Sequence, residues 1–166
     1  EVKAILRRFR KWEYARIVLR DLLKQADLEE VTAEISNVAD VCLQVAYEIC
    51  DRDLKKRYGI PQFTDSEEVV RPCQYLVIGM GKLGGCELNY SSDIDLIFCY
   101  SSDNGETTGV SGPDDPPSGR RSASLLTNHE YFVKLSENLV QVIGSTTPEG
   151  FVFRVDTRLR PEGEKG

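Results

Sequence analysis

Asp93 and Asp95 stand one residue apart at the head of the apolar run DIDLIFCY, residues 93–100, at the end of GMGKLGGCELNYSSDIDLIF, residues 79–98. This arrangement restricts the fold more than any other part of the chain. YLVIG, 75–79, reads as a buried strand and DIDLIFCY as a second, joined through a glycine-rich segment. Alternate residues of a strand share a face. Asp93 and Asp95 therefore point one way, with Cα atoms roughly 6.5–7 Å apart, and Ile94, Leu96 and Phe98 point into a core. Like charges side by side on a strand repel. A cation between them removes the repulsion, and Mg²⁺ prefers such hard oxygen ligands. Two-metal sites for phosphoryl or nucleotidyl transfer are built from paired carboxylates of this kind. The bland alternative is an exposed strand start with two solvated acids.

The glycines offer a competing reading. Gly79-x-Gly81-x-x-Gly84 follows a strand, as a dinucleotide fingerprint does. A parallel crossover needs a dozen or more residues, yet only eight, Gly85 to Ser92, separate the glycines from DIDLIF. The ribose-binding acid of that fold closes its strand, whereas these acids open theirs. A dehydrogenase reading fails on both counts. A phosphate-binding GxxxxGK loop is absent too, since Lys82 is followed by Leu83.

The surroundings favour the aspartates. Gly84, Gly85, Ser91 and Ser92 are small residues or hydroxyls placed where a phosphate chain could approach. FVFRVDTRLRP, 151–161, reads as a third strand with Arg154, Asp156 and Arg158 on one face. Asp156 can supply a third carboxylate, and the arginines can offset phosphate charge. The alternative for this strand is an ion-pair ladder.

The rest of the chain is helical or loop-like. Ile5, Phe9, Trp12, Leu19 and Leu23 recur at helical spacing over 4–24, with arginines and lysines filling the other faces. A second helix is expected over 32–57, with Ile35, Val38, Cys42, Val45 and Ile49 on one stripe and stop signals at Gly59 and Pro61. The two are expected to pack as an antiparallel hairpin. Residues 62–73 read as a connector, and 101–126, rich in Gly, Ser, Pro and Asp, as a long mobile loop. Thr127-Asn-His-Glu130 has capping-box form and opens a helix carrying Phe132, Leu135, Leu139 and Val142. His129 is read as a surface residue at that helix start. The fold class is α+β: helical residues 1–61, then a sheet-bearing core over 62–166.

Charge excludes some partners. Residues 1–57 carry 12 Lys+Arg against 11 Asp+Glu, and the remainder 9 against 16. The acidic half is a poor nucleic-acid surface, and the apolar runs are too short for a bilayer. The five cysteines show no CxxC spacing and, with the lone His129, no zinc site. Reduced, buried thiols in a cytoplasmic protein are expected. The chain opens inside a helix with no signal pattern, so a fragment is expected.

GMGKLGG-x-ELNYSSDIDLIF, EYF before an apolar helix, and TPEGFVFRVDTRLRPEGEKG together resemble the glutamine synthetase adenylyltransferase family. LRRFRKWEYARIVLRDLL and DLEEVTAEISNVAD resemble its helical lead-in, so the likeness covers nearly everything but 101–126. The resemblance implies the nucleotidyltransferase fold of the DNA polymerase β-like superfamily, with a mixed sheet and packed helices, here cut short at its C-terminal end. It implies Mg²⁺, or Mn²⁺, held by Asp93, Asp95 and Asp156. Gly84, Gly85, Ser91 and Ser92 would line the phosphate path, and Lys82, Arg158 and Arg160 would offset charge. Family members carry one domain that attaches AMP from ATP to a tyrosine of glutamine synthetase and another that removes it with phosphate, releasing ADP. The wording here is closer to the removing copy. Adenylyl transfer and a non-catalytic nucleotide-binding module are the alternatives. Full-length members also answer to the PII signal protein. Cys86 departs from the family, which usually has a polar or basic residue, or glycine, there.

Overall fold

The computed structural model describes residues 2–110 and 125–157. Its architecture is α+β, with N-terminal helices followed by small sheets. Helix α1 spans Val2–Leu22 and α2 spans Leu28–Tyr58. They form the expected antiparallel hairpin, tied where Arg16 and Arg20 both reach Glu34. Lys24 closes α1 in the left-handed region at φ 54°, where Gln25 N–H bonds Arg20 O at 2.8 Å. Asp27 and Glu30 then cap α2 reciprocally, each side chain accepting from the other's backbone N–H. No helix among the described residues is long and apolar enough to cross a membrane.

The chain divides into two compact units. The first comprises residues 1–46, 77–97 and 139–166. Here the expected apolar stripe of α1 is corrected. Ile5, Trp12, Leu19 and Leu23 are exposed, Trp12 by 76%. The buried side is formed by Leu6, Arg7 and Ile17. The polar-aromatic face won because it satisfies groups that an aliphatic face cannot. Arg7 donates to the carbonyls of Ser145 and Gly150, and Tyr14 packs edge-on against Tyr90 and Phe153. The stripe expected of α2 holds, with Ile35, Val38 and Cys42 buried.

The second unit comprises 47–76 and 98–138. The expected connector contains a hairpin of β1 (Pro61–Thr64) and β2 (Val70–Pro72). Asp65 makes the turn by accepting from the N–H groups of Glu67 and Val69. Strand β5 (Glu106–Thr107) adds antiparallel to β1, giving the order β2-β1-β5. Part of the expected loop 101–126 is therefore ordered, and its residues 111–124 lie outside the described residues. Helix α4 (Asn128–Gly144) starts at the expected box: Thr127 N–H donates to Glu130 Oε2 at 3.0 Å. His129 is exposed there and meets the Tyr100 hydroxyl at 2.9 Å. Tyr47, Tyr75, Phe132 and Tyr100 stack as near-parallel rings.

Strands β3 (Tyr75–Met80), β4 (Ile94–Tyr100) and β6 (Val155–Asp156) form the sheet in the order β3-β4-β6, and β3, expected to be buried, is instead an edge strand with Leu76 and Ile78 exposed. Ser101 N–H bonds Gln74 O, and Gly81 lies against Asp95. Those two contacts make β3 and β4 antiparallel, which rules out the dinucleotide crossover. Strand β6 is parallel to β4 and shorter than the expected 151–161. Val152 and Phe153 give their N–H groups to Ile143 O at the end of α4, so they are lost to the ladder. Residues 158–161 lie outside the described residues.

Candidate functional site

A one-turn helix, α3 (Gly81–Gly84), follows β3 directly. The glycine spacing is a packing requirement. A Cβ on Gly84 would lie 2.6 Å from the carbonyl oxygen of Gly79. Gly81 has φ +54°, and a Cβ there would lie 2.8 Å from Oδ2 of Asp95. Leu83, buried, anchors the turn. Cys86 ends it in the left-handed region at φ 57°, with Glu87 N–H bonding Lys82 O at 2.7 Å. A glycine suits that conformation, and the cysteine, the departure noted at this position, holds it against its own preference. Lys82 and Gly85 are exposed beside it.

Residues 88–92 reach the strand through a turn built on Asn89, a residue the sequence reading passed over. Asn89 Oδ1 accepts from Ser91 N–H at 3.1 Å and from the Ser92 hydroxyl at 2.7 Å. An Asn two residues before a Ser-Ser pair is the signal that could have found it. The hydroxyl of Ser92 is thus committed to shaping the turn. Leu88 is fully buried, and its N–H donates to Ser36 Oγ on α2 at 3.2 Å. Tyr90 donates to Asp21 on α1 at 3.1 Å, and burial and that hydrogen bond both raise its pKa. Two helices therefore hold this segment from behind.

The acids lie at the sheet. Ile94 N–H bonds Arg154 O at 2.9 Å, and the register pairs Ile94 with Val155 and Asp95 with Asp156. Neighbouring strands run roughly 4.8 Å apart, so Asp95 and Asp156 are close neighbours on one face, both half-buried. Ile94 and Leu96 are buried on the other face, as expected. Asp93 and Arg154 occupy the next row and form an ion pair, Arg154 Nε donating to Asp93 Oδ1. Arg154 Nη2 also donates to the carbonyl of Ser91. Among the described residues no three His, Cys, Asp or Glu side chains converge closely enough to share an ion. Two of the expected acids face each other, and the third is turned to an arginine.

Arg158 and Arg160, expected to offset charge, lie outside the described residues. The thiols are corrected in part. All five cysteines carry thiols, with Cys42, Cys50 and Cys73 buried but Cys86 and Cys99 exposed. Burial pushes the Cys42 thiol up to about 12.

A family model described as glutamate–ammonia ligase adenylyltransferase matches residues 1–166. The chain is 44% identical over 166 residues to the bifunctional glutamine synthetase adenylyltransferase/adenylyl-removing enzyme of Nitrosococcus oceani, covering 100% of this chain and 16% of that protein. The same-named enzyme of Shewanella oneidensis is 42% identical over 164 residues, covering 99% and 15%. That of Pseudomonas aeruginosa is 44% identical over 161 residues, covering 97% and 15%. The chain thus spans about a sixth of the length of these relatives.

Proposed function

The chain belongs to the glutamate–ammonia ligase adenylyltransferase family, and on that premise we propose that it carries a metal-dependent nucleotidyltransferase site acting on glutamine synthetase. The reaction is phosphorolysis of an adenylylated tyrosine. An oxygen of inorganic phosphate bonds to the AMP phosphorus, the bond to the tyrosine oxygen breaks, the phenol regains a proton, and ADP leaves. The observation that carries this reading is the register match of Asp95 and Asp156, with Asp93 two residues before Asp95. Facing carboxylates repel unless positive charge is supplied. The presence of all three acids supports chemistry over a module that only binds nucleotide. The ELNYSSDIDLIF wording and the helical lead-in support the removing direction.

The two facing carboxylates would supply part of a divalent-cation site. Carboxylates from Asp95 and Asp156 suit Mg²⁺, with Mn²⁺ as the alternative. Gly81 places no side chain against Oδ2 of Asp95. When bound, the ion would neutralise phosphate charge and favour an in-line displacement. Asp93 would join the two facing acids after parting from Arg154.

Gly84 and Gly85 would keep the phosphate path clear, and the Ser91–Ser92 turn would border it. Lys82, Arg158 and Arg160 would offset the charge of phosphate and ADP. No histidine base is required, because phosphate is already anionic. The partners are glutamine synthetase, ATP or ADP, and phosphate, with PII acting on the full-length protein. The five thiols support a cytoplasmic setting.

A direction assay tests the reading. Phosphate with adenylylated synthetase should yield ADP, and Asp95→Asn or Asp156→Ala should abolish it. AMP incorporation from ATP into unmodified synthetase, with no ADP release in the other arm, would reverse the assigned direction.

A further inference from the structure

We propose that the second unit binds an amino-substituted heteroaromatic ring, adenine being the type, in a cleft between α2, α4 and the link from β2 to β3. None of the acids of the candidate site lines this cleft, and the proposal does not rest on the metal-dependent reading above. The cleft holds about 320 Å³, the small end of ligand pockets, which run from about 300 to about 1,000 Å³. That size suits a single ring system better than a whole nucleotide. Tyr47, Asp51 and Lys55 recur every four residues along α2, so they share one face and form one wall. Tyr75 and Phe132 form another. Gln74 also lines the cleft and is exposed to solvent.

Two features of the walls define the ligand. The first is a platform of rings. Tyr47 lies 5.8 Å from Tyr75 with 10° between their planes, and Tyr75 lies 5.4 Å from Phe132 with 9°. Phe132 is buried and Tyr47 half-buried, so Tyr47 is the end of the column nearer solvent. Offset stacks of this kind favour a further planar ring, and every base has a face to offer. The second feature is an acceptor fixed beside a donor. Lys55 Nζ donates to Asp51 Oδ2 at 2.6 Å, and the Tyr131 hydroxyl donates to Oδ1 at 3.1 Å. Tyr131 is fully buried and the Asp51 side chain only 15% exposed. The carboxylate is therefore held before any ligand arrives, which lowers the cost of binding. It keeps lone pairs beyond those two bonds, and the ammonium, 41% exposed, has three N–H groups of which one goes to Asp51. Acceptor and donor side by side complement an amine next to a ring nitrogen. A phenol has one polar atom for the two, and an aliphatic chain has none.

The test is calorimetric titration of the whole chain with adenosine in EDTA, so that neither metal nor phosphate takes part. Saturable binding at one site is expected. Purine riboside, which lacks the amine, should bind about tenfold more weakly, the loss expected for a hydrogen bond to a charged group. Tyr47→Leu removes a ring of the platform and should weaken adenosine about fivefold or more, while Tyr47→Phe keeps the ring and should match wild type. Lys55→Met removes the donor but leaves Tyr131 on Asp51, and should weaken adenosine about tenfold. If Tyr47→Leu fails to fold, the Lys55→Met and purine riboside arms decide. Absence of saturable binding, equal affinity for purine riboside, or wild-type affinity in a folded Tyr47→Leu or Lys55→Met overturns the proposal. Binding lost in Asp95→Asn but kept in Tyr47→Leu puts the nucleoside at the acids and overturns it as well. The phosphorolysis reaction is not sampled here, so failure of this site leaves the proposed function standing.

Discussion

The guanidinium of Arg7 donates from Nε to the carbonyl oxygen of Gly150 at 2.7 Å, across 143 residues of sequence. The side chain is almost fully buried and also reaches Ser145 through both its carbonyl and its hydroxyl. It fixes the 145–150 turn, from which the chain runs into β6 and Asp156. Arg7→Met keeps bulk but takes its donors from the Ser145 oxygens, while the Gly150 carbonyl keeps the N–H and hydroxyl of Thr147. A loss of about 2–4 kcal/mol is expected, read as a lower urea midpoint at unchanged slope.

Gly84 and Gly85 separate a packing role from the phosphate-path role proposed above. Gly84→Ala drives a Cβ to 2.6 Å from a backbone oxygen, so a destabilisation of about 1–3 kcal/mol is expected. At Gly85 the nearest atom would be 3.6 Å away, an ordinary contact. Gly85→Ala should melt within about 2 °C of wild type. Its rate of ADP release should nonetheless fall by on the order of a hundredfold if the added methyl displaces phosphate by about 1 Å. Full activity in Gly85→Ala would remove this residue from the phosphate path.

Cys86 holds a conformation that costs an ordinary side chain about 1–2 kcal/mol. Cys86→Gly relieves that strain, although glycine gains freedom in the unfolded chain. A net stabilisation of about 0.5–1 kcal/mol is expected from these opposing terms. Thermal melting of the two proteins side by side checks it.

Acid stability should depend on two capping carboxylates. The Arg71 side chain and the Val69 N–H hold Asp65 below its ordinary value of 3.8. The N–H and hydroxyl of Thr127 hold Glu130 below 4.5. Both are depressed on folding, so each adds stability that is present above its unfolded value and lost as pH falls through its folded one. Between about pH 5 and about pH 3 the wild-type melting temperature should drop more steeply than that of Asp65→Asn or Glu130→Gln. Parallel curves would remove both groups from the acid transition.

The elements nearest the acids were the easiest to read. DIDL, at the head of DIDLIFCY, alternates cleanly, so both the strand and its buried face followed from period there. The Thr127–Glu130 box was legible because both partners lie within four residues. The orientation of α1 was not. Periodicity marks an apolar stripe but not which face finds partners, and here half-buried carbonyls at 145 and 150 drew in an arginine face. Strands β1, β2 and β5 span four, three and two residues, too short for period-two patterning to stand out. The pairing of Asp93 with Arg154 joins positions 61 residues apart, and no local pattern encodes it.

With only two residues in β6, backbone pairing alone holds this segment weakly against sliding. A slip of one position would put Val155 opposite Asp95 and turn Asp156 to the far side of the sheet. Alignment of β6 is therefore delegated to two arginines, one gripping the incoming turn and one clasping the neighbouring strand. Damage to either one would misplace a carboxylate without touching it.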